Sequence, residues 1–161
     1  MDGFAYAGEA LVGKEIGAYK REGESGGKRV SIVVKLLFVW SLGVGLAATC
    51  VFALTADGCY SMMTSDRAVI EMLQAFTPWL IAMPIVSTLA FMWDGVYAGA
   101  TAGVAIRNAM LWAAVGFVAG YAITASWLGV HALFVSYFLH LIARVGYLTL
   151  AWKPIARMYN N

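Results

Sequence analysis

Charge is scarce in this 161-residue chain: Asp, Glu, Lys and Arg together make up 12% of it. A soluble domain carries about twice that share on its surface. With hydrophobic residues at 61% and a mean hydropathy of +0.75, the composition leaves an integral membrane protein. Cysteine is scarce too, and Cys50 and Cys59 stand in no metal-binding or redox spacing, so both read as packing thiols. A net charge of +2 is too small to suggest nucleic acid as a partner. Short, turn-bounded segments of alternating polarity are missing, which argues against a β-barrel. No Ser/His/Asp or Cys/His arrangement, zinc spacing or phosphate-cradling glycine loop is found, so neither an enzyme nor a metal site is expected. The first residues, MDGFAYAGEALVGKEIGA, lack the basic start and cleavage site of a signal peptide. They read as the inner end of a helix whose first half is missing, with Met1 an internal or artificial start and the chain a fragment.

What the chain does have is four apolar blocks, each long enough for a hydrocarbon layer that takes about 20 residues per helix. These predict an all-α, polytopic membrane helix bundle with transmembrane helices at 30–54, 67–104, 108–127 and 131–152. Residues 1–19 form the end of a fifth helix, 20–29 a charged loop, and a polar turn around Asp57-Gly58 follows the first span. The stretch just before the first span holds Lys14, Lys20, Arg21, Lys28 and Arg29, and the chain end holds Lys153 and Arg157, whereas the 128–130 loop has no basic residue. Such asymmetry predicts a multi-pass protein of the inner or plasma membrane, with the 20–29 loop and the C-terminus cytoplasmic and the lipid bilayer as its first partner.

Packing and hinge signals lie in the second and third spans. Pro84 leaves the carbonyl of Leu80 without its helical donor, which predicts a bend and a candidate hinge. Gly95, Gly99 and Gly103 recur every four residues and Gly116 and Gly120 do the same, so each set predicts a face for close helix packing.

A carboxylate near a bilayer centre costs roughly 2.5 to 3.5 kcal/mol on insertion scales, so Asp94 asks for an explanation. Either it caps a helix break at Gly95 or stays hydrated at the inner interface, or it is a protonatable group facing a cavity, where proton uptake and release are tied to an open or closed state. Asp2 stands in a related setting, Asp2-Gly3-Phe4-Ala5-Tyr6-Ala7-Gly8 beside Asp94-Gly95-Val96-Tyr97-Ala98-Gly99, and is the second candidate for cation or proton coupling. On the last span Tyr137, His140, Arg144 and Tyr147 follow 3-4-3 spacing and share one face. That face is a candidate cavity wall, the alternative being Arg144 extended to the headgroups and His140 hydrogen-bonded inside the bundle. Lys35, one and a half turns into its span, reads as a snorkelling structural lysine.

Taken together, residues 2–18, residues 84–101 with the following Arg107-Asn108-Ala109-Met110, and the closing YLTLAWKP resemble the C-terminal lobe of the multidrug and toxic compound extrusion (MATE) family, in its DinF-like branch. The Phe-x-x-Asp-Gly-x-x-x-Gly core, Phe91, Asp94, Gly95 and Gly99, is the most specific part. The resemblance implies that residues 1–19 end helix eight of twelve and that the four spans are helices nine to twelve. It implies a secondary antiporter of two six-helix lobes, with the N-terminal half missing here, that exports cationic or amphipathic compounds by alternating access. H+ or Na+ would be the coupling ion, with no other cofactor. Asp94 matches the helix-ten carboxylate that joins the cation site in several members, while in DinF-like members the proton site lies in the N-terminal lobe. Two other functions fit the residues: a four-helix scaffold that binds partners through its glycine faces and transports nothing, and a lipid-linked precursor flippase of similar two-lobe design.

Overall fold

The computed structural model describes the backbone of residues 2–22 and 24–160, and the side chains of these apart from 2, 22, 24–28, 154, 156–160. Five helices account for this backbone: α1 (Asp2–Glu22), α2 (Glu24–Met63), α3 (Arg67–Gly99), α4 (Gly103–Leu128) and α5 (His131–Asn160). Four stretches within α2 to α5, Arg29–Met63, Arg67–Gly99, Gly103–Leu128 and His131–Lys153, are long and apolar enough to cross a membrane. The expected all-α membrane bundle is thus the observed one, and α1 is the additional helix.

Several boundaries differ from the sequence reading, each for a local reason. Residues 20–29 are helical on both sides of Gly23, which lies outside the described residues. Asp57-Gly58 is no turn, because α2 continues to Met63 with Thr55 Oγ1 donating to the Val51 carbonyl and Ser61 Oγ to that of Gly58. The turn comes at 64–66, where Asp66 caps α3 by accepting from the Ala68 N–H at 2.9 Å. At its other end α3 stops at Gly99, five residues before the expected limit. The Thr101 N–H donates to the Ala98 carbonyl and the Ala102 N–H to that of Tyr97, both at 2.9 Å, with Thr101 at φ 55°. This is a Schellman closure with threonine in the left-handed position that glycine usually takes. Gly103 therefore opens α4 rather than extending the stripe of α3, and α5 runs on past Lys153.

α3 is the central helix, with α1, α2 and α5 packed around it and α4 resting chiefly on α5. Val12, Val30, Val34, Met92, Val96, Tyr97 and Leu148 fill the space between them. Tyr97 is fully buried and its hydroxyl donates to the Leu148 carbonyl at 2.7 Å, which satisfies the phenol inside the core. Large apolar side chains such as Trp40, Leu54, Ile123 and Trp127 stand exposed, the arrangement expected where the surrounding solvent is acyl chain.

Close approach is what the glycines provide. A methyl group on Gly95 would overlap the Ala5 carbonyl, and one on Gly99 would lie 2.6 Å from the Glu9 carbonyl oxygen, so α1 and α3 run parallel with their backbones touching. On the α4 face Gly120 admits Leu139 and Ser136, whereas Gly116 meets Ala143 only at ordinary contact distance. Nothing lies within 4 Å of where a Gly103 methyl would sit, so this glycine drops out of the packing set. α3 remains one helix through Pro84. There Thr49 Oγ1 of α2 donates at 3.1 Å to the Ile81 carbonyl, next along from the one that proline leaves without a donor, and Thr88 Oγ1 donates to the Pro84 carbonyl at 2.6 Å.

Candidate functional site

Asp94 sits five residues before the end of α3, on the side of the helix that faces α1 and α5. Its Oδ2 accepts from Arg144 Nη2 of α5 at 2.5 Å, and the two side chains are 20% and 10% exposed. Burying either charge alone in hydrocarbon would be costly, and a short charge-assisted bond is how membrane interiors hold such groups. Arg144 therefore neither extends to headgroups nor leaves Asp94 to cap the break at Gly95.

The pair is incompletely satisfied. Asp94 Oδ1 and Arg144 Nε are buried and have no hydrogen-bond partner among the described residues. Both residues line an open pocket of about 270 Å³ together with Ala5, Tyr6 and Glu9 of α1, Gly95 and Ala98 of α3, and Ile106 and Met110 of α4. A second acidic residue, the exposed Glu9, is thus part of the lining beside Asp94. At about 270 Å³ the pocket has room for a water or one small cation.

Glu9 was not legible as a site residue in the sequence, and Tyr6 with it. The signal was available in the register of α1: Asp2, Tyr6 and Glu9 follow 4-3 spacing, in the segment whose motif repeats at Asp94. The side chain of Asp2 lies outside the described residues.

The polar face of α5 is distributed along one seam with α4. Tyr137 and His140 line a groove of about 350 Å³ with Ala114, Phe117 and Val118, their rings parallel within 10° at a centroid separation of 6.4 Å. One turn further on, Arg144 leaves this groove for the Asp94 pocket. Tyr147, the last of the four, packs against the apolar core instead. The face therefore holds an aromatic groove and an ionic pocket in succession rather than a single cavity wall.

Four apolar spans and a charge pair held between two of them define a polytopic α-helical membrane protein. Among known proteins, the chain is similar to DNA damage-inducible protein F of Escherichia coli (strain K12), with 31% identity over 159 residues that cover 95% of this chain. That relative is a MATE-family member, and the resemblance drawn from the Asp94 and Asp2 motifs is borne out by it. The chain spans 32% of the relative's length. No family model matches the chain, and no solved structure does.

Proposed function

We propose that this chain forms part of the C-terminal lobe of a MATE-type efflux antiporter, with its C-terminus cytoplasmic, and that the pocket around Asp94 takes the coupling cation, H+ or Na+. One observation supports the reading: a carboxylate within a membrane span has one oxygen in an ion pair and the other buried without a partner among the described residues, and the same aspartate lines a pocket with Arg144 and Glu9. A carboxylate with only a structural task would be expected to spend both oxygens on fixed donors. Arg144 supplies a tethered positive charge that an incoming cation must match or displace, so loading the pocket weakens the bond between α3 and α5. Linking a bond between helices to cation occupancy is the element that alternating access requires. The aromatic groove of Tyr137 and His140 suits a cationic or amphipathic compound, since its rings offer π faces and apolar area.

The test is Asp94→Asn in the two-lobe protein to which this chain would belong, reconstituted in proteoliposomes. Efflux driven by an imposed cation gradient should be lost in Asp94→Asn and equally in Asp94→Asn with Arg144→Met. The double variant leaves neither charge of the pair unmatched and so is the one expected to insert and fold, and retained coupling in it removes Asp94 from the mechanism. The non-transporting scaffold predicts no cation-dependent flux in any of these proteins.

A further inference from the structure

A larger opening has in its lining Trp93 and Val145, the chain neighbours of Asp94 and Arg144. It is a cleft of about 990 Å³ between α2, α3 and α5, open to the surroundings of the bundle. α2 begins, and α3 and α5 end, on the same side of the bundle, as the contacts of Phe38 with Trp93 and of Trp93 with Trp152 show. The lining is therefore ordered along the membrane normal. Ser31, Lys35 and Trp152 stand at the outer end of the cleft, and Phe38, Leu89 and Val145 at the end nearer the bilayer middle.

Lys35 is exposed and lies six residues beyond Arg29, about 9 Å along the helix axis. No carboxylate among the described residues pairs with it. An ammonium at that depth extends towards the headgroups along its own aliphatic stem, and the cleft gives that stem an apolar wall to follow. A pocket of this size, mostly apolar with one charged group at its mouth, has the composition of a preformed ligand site. Basic clefts between transmembrane helices near the headgroup level select anionic lipid headgroups.

We propose that this cleft binds an anionic phospholipid, with its phosphate at Lys35 and an acyl chain along Phe38, Leu89 and Val145. The charge of the mouth and the apolar character of the deep end together require an amphiphile. A free phosphate would leave the deep end empty, and a neutral lipid would leave Lys35 without a counter-charge. Trp93 and Trp152 form a wall by ring contact at 5.8 Å, so the site is shaped before the lipid arrives.

The experiment is native mass spectrometry of the chain in neutral detergent micelles containing equal amounts of phosphatidylglycerol and phosphatidylcholine. The wild-type chain is expected to retain the anionic lipid about fivefold over the neutral one, the selectivity of one lysine at an anionic surface. Lys35→Gln should bring the ratio near one, while Lys35→Arg keeps it. Lys153→Gln, which changes a charge outside the cleft, should leave it as it was. Val145→Trp fills the deep end and should lower retention of both lipids. Equal retention by the wild type overturns the proposal. So does an equal loss of preference in Lys153→Gln, which would make the effect one of general surface charge, and so does displacement of the lipid by inorganic phosphate at matched concentration.

Discussion

Gly95 lies against the carbonyl of Ala5 so closely that no side chain fits between α3 and α1, and the residue before it is the aspartate that Arg144 holds. The glycine and the acid thus have linked tasks. Gly95 brings α1 near enough for Glu9 and Tyr6 to join Asp94 in lining one open pocket.

Gly95→Ala should separate α1 from α3 and destabilise the bundle by about 1 to 3 kcal/mol, the usual cost of overpacking. Gly103→Ala, at a position with nothing within 4 Å, should be neutral. Thermal unfolding in detergent, followed by tryptophan fluorescence, checks both, and equal midpoints for the two variants would remove the close approach from the account.

Arg144 and Asp94 should behave as one unit. Removing a single partner of a buried pair leaves an uncompensated charge and costs roughly 3 to 5 kcal/mol, so Arg144→Met is expected to lower stability sharply. The double change Arg144→Met with Asp94→Asn should recover much of that loss, because no charge then remains to be buried. A double-mutant cycle measured by unfolding in mixed micelles gives the coupling, and strictly additive effects would mean that the two side chains do not depend on each other.

The break between α3 and α4 carries a residue in the wrong conformation for its type. Thr101 has φ 55°, a region that costs an L-residue about 1 to 2 kcal/mol and a β-branched one no less. Thr101→Gly should therefore raise stability, by somewhat less than that since glycine also gains freedom in the unfolded chain. A lower unfolding midpoint for Thr101→Gly would show that the threonine side chain contributes more than its backbone strain costs.

That break also shows where the sequence was opaque. The number of spans and their approximate positions followed from apolar run length alone, since a bilayer imposes the length of a helix. The ends did not, because the closure at Thr101 uses a residue that sequence rules assign to strands, while the glycine that looked like part of a packing stripe, Gly103, merely starts the next helix. Asp57-Gly58 misled for the converse reason: a pair that turns the chain in water is carried through by a long membrane helix whose backbone bonds have no better partner. Asp94 and Arg144 were each visible as charges out of place, yet their pairing depends on which faces of α3 and α5 meet, and the 3-4-3 spacing of α5 could not supply that. Glu9 was hidden because its helix is the least apolar of the five, so one more acid there drew no notice.

If the pocket and the groove on either side of Arg144 have separate tasks, substitutions in them should separate as well. Glu9 lines the ionic pocket with Asp94. In the two-lobe protein, Glu9→Gln should raise the cation concentration needed for half-maximal exchange on the order of tenfold, the effect of removing one close charge worth about a pKa unit, and should do so for every exported compound alike. Tyr137→Ala and His140→Ala remove the stacked rings of the groove, so they should alter the relative rates among aromatic and aliphatic compounds while leaving the cation requirement unchanged. Efflux assays with two chemically different fluorescent compounds, each run across a series of cation gradients, separate the outcomes. A cation requirement that shifts with Tyr137→Ala as much as with Glu9→Gln would merge the two cavities into one site, and the division of α5 into an ionic half and an aromatic half would no longer have a functional meaning.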